Sequence, residues 1–186
     1  MANTAERRAT YADIVALPEN KIGEIMGGEL YVQARPASRH TGVASALGAD
    51  LVGPFQRGRG GPGGWWILDE PELHLNADVL VPDLGGWRRE RMPVFPDVAG
   101  FELAPDWVCE VLSPSTEKID RATKLPIYAN HGVGHVWLID PSRKTLEAFR
   151  LESGRWVLLG VWTDSETVRV EPFDAVPLSL ELLWNW

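Results

Sequence analysis

Apolar and polar positions switch period several times along the chain, and the breaks between periods mark its elements. A short helix is expected over Tyr11–Leu17, closed by Pro18. From Lys21 to Ala34 two short runs flank Gly27-Gly28, and paired glycines supply the positive φ that a β-hairpin turn requires. Val43, Leu47, Leu51 and Phe55 recur at helical spacing behind Ser38, which is placed to cap that helix. The glycine-rich run from Gln56 to Gly64 stops it and reads as a loop.

The middle of the chain is β-rich. Trp65–Leu68, Leu73–Leu75 and Ala77–Leu84 read as strands, followed by a loop rich in Pro, Gly and Arg from Gly85 to Pro105. Trp107–Leu112 is the clearest strand, since five of its six residues are apolar. Ser113-Pro114-Ser115-Thr116 opens a helix from Glu117 to Asn130, with proline tolerated in the first turn and hydroxyls available as caps. His135–Asp140, Leu146–Leu151 and Trp156–Trp162 follow as strands, the last two joined across Glu152-Ser153-Gly154. The pattern is α/β or α+β, a mixed central sheet flanked by helices. With no repeat and no internal boundary, residues 1–186 read as one domain.

Charge complicates the picture. The net charge is −8, whereas proteins that grip phosphates usually carry a basic footprint. A nucleic-acid partner therefore requires local basic clusters, or bound cations that offset the carboxylates. Arg57 with Arg59, and Arg88, Arg89 and Arg91, are such clusters, and they read equally well as solvated loop charges. The single cysteine, Cys109, excludes a disulfide framework or a multi-cysteine zinc site and fits a reducing cytoplasm. No apolar run approaches the ~20 residues that span a bilayer, and Met1–Arg8 lacks the apolar core of a signal peptide. Among nine tryptophans, Trp184 and Trp186 at the C-terminus suit core or a homodimer interface alike.

Candidate chemistry starts at Glu110. A continuous apolar strand is normally buried on both faces, and a buried carboxylate is costly unless paired or bound to a metal. Glu110 sits inside such a strand, and Asp83 follows the apolar Val79-Leu80-Val81-Pro82. If their strands pair, both carboxylates can face one Mg²⁺ or Mn²⁺. The plainer alternative for Glu110 is a salt bridge to a buried lysine or arginine. Asp106 competes with Asp83 but lies about four strand rises, roughly 13 Å, from Glu110. That is too far to share one ion, so it reads as a strand-entry residue. Asp120, Lys124 and Tyr128 follow at i, i+4 on one helix face. Lys124 on that face either reaches back towards Glu110, to stabilise charge on a phosphate, or forms an exposed pair with Asp120.

The run Pro105-Asp106-Trp107-Val108-Cys109-Glu110-Val111-Leu112-Ser113-Pro114-Ser115-Thr116 resembles the PDxxxEVLSPST signature of the Uma-two family of restriction-endonuclease-like proteins. The resemblance extends through Gly28-Glu29-Leu30, His40 and Val81-Pro82-Asp83-Leu84 upstream. Downstream it takes in Asp120-Arg121, Lys124-Leu125, Tyr128-Ala129, Gly132-Val133 and Trp137–Pro141, and it spans roughly Tyr11 to Trp162. It implies a PD-(D/E)xK nuclease-like fold and metal-dependent hydrolysis of nucleic acid, DNA first, with Mg²⁺ or Mn²⁺ on Asp83 and Glu110. The lysine of the usual motif falls two residues after the glutamate, where this chain has Leu112, and Lys124 matches the displaced position on the next helix. Glu29 and His40 match accessory positions. Cys109 alternates with Glu110 and should face core, while Pro126 removes a backbone donor and should kink the helix beyond Lys124.

Overall fold

The structure, a computed structural model, describes residues 7–185. Gly27 and Gly28 both adopt positive φ, at 63° and 87°. They fold β1 (Lys21–Met26) back on β2 (Glu29–Ala34), with Met26 opposite Glu29. The helix before this hairpin, α1 (Tyr11–Val15), ends two residues earlier than its sequence pattern suggests. Next, α2 (Ser38–Leu51) runs on as a π-helical turn over Val52–Gln56. Its N-cap is Ala37 rather than Ser38, which is already helical.

Ten further strands follow in the order β3 (Trp65–Asp69), β4 (Leu73–Leu75), β5 (Asp78–Leu80), β6 (Leu84–Arg88), β7 (Trp107–Val111), β8 (His135–Asp140), β9 (Thr145–Glu152), β10 (Arg155–Thr163), β11 (Thr167–Val168) and β12 (Leu178–Ser179). They build a six-stranded sheet in the order β10-β9-β8-β7-β6-β3 and a four-stranded sheet in the order β2-β1-β5-β4, with a small β11–β12 pair. Only β7 and β8 pair in parallel within the large sheet, so its mixed character follows from one helical crossover between them.

The alternation of β7 sorts the layers. All five of its residues are buried. Trp107, Cys109 and Val111 enter the core beneath α2, with Val43, Leu47, Leu51, Phe55 and Trp137. Val108 faces the second core, where Met26, Leu73, Leu80, Trp87, Tyr128 and Leu138 join the two sheets and the crossover helix. Period-two geometry puts Glu110 on that second face and Cys109 on the first. Cys109 is therefore core, as its position in the strand predicts.

Two expectations from the sequence need correction. The segment Ala77–Leu84 is not one strand: β5 stops at Leu80 and β6 begins at Leu84. Asp83 thus lies on the crossing between the two sheets rather than on a strand paired with β7. Pro82 has no N–H to continue a ladder there. The presumed loop from Gly85 to Pro105 opens as β6, which pairs with both β3 and β7. Glycine concealed this strand, yet packing requires it. A Cβ on Gly85 would come within 2.8 Å of Pro71, and one on Gly86 within 3.1 Å of the Trp107 ring.

The arginines of that region are structural. Arg88 and Arg89 stack on Trp65 and Trp66, with guanidinium carbons 4.5 and 3.9 Å from the ring centroids. Arg91 pairs with Asp106 at 3.0 Å, and Asp106 also accepts from the Arg88 N–H at 2.8 Å, which fixes it as a strand-entry residue. Trp184 is half-buried against the first core and donates to the Asp164 carbonyl at 2.7 Å, while Trp186 and Met1–Glu6 lie outside the described residues. No helix among the described residues is long and apolar enough to cross a membrane.

Gly85→Val is expected to lower stability by about 1–3 kcal/mol by overpacking against Pro71 and Trp87. Urea unfolding measures it, and an unchanged midpoint would contradict the role given to this glycine.

Candidate active site

One ammonium gathers the acidic residues. The Lys124 Nζ lies 2.9 Å from Glu24, 3.3 Å from Glu110 and 3.5 Å from Asp120. All four side chains are 1–3% exposed. The exposed Asp120–Lys124 pair that spacing alone allows is therefore excluded. Glu110 is paired with a buried lysine, and the same lysine lines a cavity of about 600 Å³ together with His40, Asp83 and Asp120.

Each side chain is delivered by a different piece of the fold. β7 carries Glu110 on its inner face, and β1 carries Glu24 across from it in the other sheet. The helix after β7 is not continuous α-helix. It consists of α3 (Glu117–Ile119), a π-helical turn over Asp120–Lys124, and α4 (Leu125–Asn130) with Pro126 in its first turn. A π turn carries one extra residue per hydrogen-bonded ring, so the backbone accommodates a residue that lacks an N–H. The irregularity expected at Pro126 thus falls one turn earlier, on the residues that include Lys124 and Asp120, and both side chains point inward. Tyr128 continues this face and donates to Glu110 Oε1 at 2.6 Å.

Asp83 is held by backbone rather than by the lysine. Its Oδ2 accepts from the Val111 N–H at 2.7 Å, next to Glu110 in the chain, and its Oδ1 lies 3.3 Å from His40 Nε2. The His40 Nδ1 is buried among the cavity walls with no hydrogen-bond partner. Burial works against the His40 imidazolium, but the Asp83 hydrogen bond and charge, aided by Asp120, raise it above its ordinary value.

Electrostatics within the cluster are unbalanced. Burial pushes Glu110 well above the ordinary carboxylate range; Lys124 opposes this, while Asp120, Asp83 and Glu24 add to it. Burial raises Asp120 as well, against Lys124. For Lys124 burial disfavours charge, yet Glu110, Glu24 and Asp120 outweigh it and hold the ammonium protonated. Burial and Glu110 keep Tyr128 a phenol that can only donate to the carboxylate. Three carboxyl groups surround one lysine and Asp83 lines the same cavity, so acidic groups outnumber Lys124 and His40 there, and burial favours the neutral forms of Glu110 and Asp120. That donor set suits a hard divalent cation in kind. Among the described residues, however, no three His, Cys, Asp or Glu side chains converge as a metal-holding group.

The sequence assignment is met unevenly. Asp83, Glu110, Lys124, His40, Asp120 and Tyr128 are brought together. Glu29 is not: it is exposed at the hairpin turn, takes a hydrogen bond from Tyr31 at 3.1 Å and does not line the cavity. The residue that reasoning from sequence missed is Glu24. Its Oε1 accepts from the Val81 N–H at 2.8 Å, its Oε2 from Gln33 at 2.9 Å, and it is 1% exposed. The signal was present, since Ile22, Ile25 and Met26 make Lys21–Met26 an apolar strand with a glutamate inside it.

Comparisons with known proteins bear on the family and the fold. The Uma2 family model, described as "Putative restriction endonuclease", matches residues 10–183. A crystal structure from Anabaena variabilis, titled a putative nuclease belonging to DUF820, superposes with a TM-score of 0.74. It is 22% identical, covering 95% of this chain and 97% of that one, which shows the shared fold. No curated protein matches. The family match covers nearly the whole chain, and the chain belongs to the Uma2 family.

Lys124→Met, examined with chelator present, is expected to destabilise the fold by about 3–5 kcal/mol at neutral pH, because it leaves buried carboxylates uncompensated. Glu110 and Asp120 have raised folded values, so their stabilising contribution is complete in acid, below the unfolded value, and is lost as pH rises through the folded one. The deficit of the variant should therefore shrink on acidification. A deficit in urea unfolding that stays flat with pH would count against the assignment.

Proposed function

We propose that this member of the family is a metal-dependent phosphodiester hydrolase acting on nucleic acid, with DNA the first candidate. Asp83, Glu110 and Lys124 would be its working groups. The observation that carries the reading is the Lys124 ammonium, buried against Glu24, Glu110 and Asp120 while lining the same cavity as Asp83. A structural ion pair has no need of a cavity, nor of three carboxylates for one cation.

Asp83 and Glu110 are the residues proposed to hold Mg²⁺ or Mn²⁺. The ion would offset their charge and make a water more acidic. With two protein carboxylates, the remaining positions fall to water and substrate oxygens, as Mg²⁺ commonly accepts. The chain's own groups have separate tasks. Lys124 carries a fixed positive charge towards the phosphate and stabilises the charge that builds on its oxygens. Glu24 and Asp120 hold that ammonium in place. The Tyr128 hydroxyl and the Val111 N–H orient the Glu110 and Asp83 carboxylates, respectively. His40 keeps one ring nitrogen towards Asp83, while the other is buried without a hydrogen-bond partner.

The alternative reading is a binding or assembly module that keeps the fold without turnover. The net charge of −8 favours it in one respect, since it opposes the approach of a polyanion.

Plasmid and single-stranded DNA incubated with the protein and Mg²⁺ or Mn²⁺ should be cut, and chelator should stop the reaction. Asp83→Ala and Glu110→Gln should each reduce the rate by about 10²-fold or more, the scale expected when a charge-stabilising group is lost. Cleavage that persists in both variants would refute the site. Tight DNA binding without any cleavage by the wild type would favour the binding module instead.

A further inference from the structure

We propose that the outer edge of β10 docks a second copy of this chain, strand against strand and antiparallel, about a twofold axis between Leu159 and Gly160. β10 is the terminal strand of the large sheet and, at nine residues, its longest. From Trp156 to Trp162 it carries no charge and no proline. Val157, Leu158 and Val161 are 38%, 51% and 51% exposed. Edges of this kind are usually blunted by lysine, proline or a covering element, because their free N–H and C=O groups invite another strand. An irregularity between Leu158 and Gly160 interrupts this one, and Glu166 closes its far end at Thr163, leaving the stretch from Trp156 to Trp162 uncovered.

That irregularity decides how two copies can fit. Ser153 and Gly154 both take positive φ and form a two-residue turn, so Glu152 and Arg155 are the hydrogen-bonded pair that closes it. Alternation then binds Val157 inward to β9 and turns the backbone groups of Trp156 and Leu158 outward. The Leu151 N–H, donating across β9 to the Gly134 carbonyl at 2.9 Å, has the parity this requires. Beyond the bulge the Asp164 N–H donates to the Lys144 carbonyl at 3.0 Å. Trp162 and Gly160 therefore bond inward and Val161 presents its groups outward, whereas those of Thr163 are taken by Glu166, whose carboxylate accepts from the Thr163 N–H at 2.6 Å and whose N–H donates to the Thr163 carbonyl at 3.2 Å.

A second copy satisfies those groups only where outward residues meet outward residues. Pairing about the midpoint of Leu159 and Gly160 achieves this at the centre of the edge, where Leu158 and Val161 each meet the other in the copy. Leu158 then faces the copy's Val161, Trp156 the copy's Thr163, Val157 the copy's Trp162, and Arg155 the copy's Asp164. The strand pairs share a face of the sheet, and Arg155 falls beside Asp164 of the turn that follows the copy's strand, so opposite charges meet at each end. A register centred on Leu159 itself would set outward groups against inward ones and fails. A twofold contact must be complementary to itself, which an edge built for an unrelated strand has no reason to be. The bulge that would deter a regular partner is what makes the two halves of the edge match.

Sedimentation across a concentration series tests the proposal through mass alone, independently of any hydrolytic activity. The wild type is expected to run as a dimer of twice the 20.6 kDa chain. Leu158→Lys combined with Val161→Lys should run as a monomer with an unchanged circular dichroism spectrum. Arg155→Asp should raise the dissociation constant roughly tenfold, since the axis repeats the pair, and adding Asp164→Arg should restore it. A monomeric wild type at every concentration would overturn the proposal. So would a dimer whose dissociation constant ignores both Leu158→Lys and Arg155→Asp.

Discussion

The contact on which the rest of the site depends is the Lys124 ammonium held between Glu24 and Glu110. It joins three layers that otherwise meet through apolar side chains: the four-stranded sheet, the six-stranded sheet and the crossover helix. Taking one such charge out of water costs several kcal/mol, and Glu110, Glu24 and Asp120 together outweigh that burial and keep the ammonium protonated. Once that cost is met the geometry is stiff. Glu24 is fixed by the Val81 N–H, Glu110 by Tyr128, and Asp83 by the backbone of the residue beside Glu110. The acidic side chains are thereby held side by side in and behind the cavity wall.

How far this was legible in the sequence depends on the residue. Glu110 could be found from physics alone, because a glutamate inside an apolar strand needs a partner. Lys124, Asp120 and Tyr128 could be placed on one face by spacing, but not aimed. The aim comes from the π turn before Pro126, whose extra residue leaves no mark on an apolar/polar pattern. Glu24 obeyed the same rule as Glu110 and was obscured by its neighbour Glu29, whose place in a family motif drew attention to the turn. β6 was hidden because Gly85 and Gly86 look like loop residues until the tryptophans packed over them are known.

Charged residues mislead in the other direction. Arg88, Arg89 and Arg91 suggest a phosphate-binding patch by composition, yet each is engaged locally, with a tryptophan ring, a carbonyl or Asp106. Stacking on an indole keeps a guanidinium's charge but fixes its position, so these arginines brace the sheet whatever else they meet. The net charge of −8 sets the overall field of the chain against them.

Delivering the lysine from a helix has a consequence of its own. When glutamate and lysine share a strand two residues apart, any slip of register flips both to the opposite face, and the site is lost with the pairing. Here the two groups answer to different elements. The strand can be conserved for its pairing while the helix adjusts its phase, since inserting one residue into a helix rotates everything beyond it by about a quarter turn. The π turn at Asp120–Lys124 is such an adjustment frozen in place. It makes the ammonium's direction a variable that evolution, or a protein engineer, can change without touching the sheet.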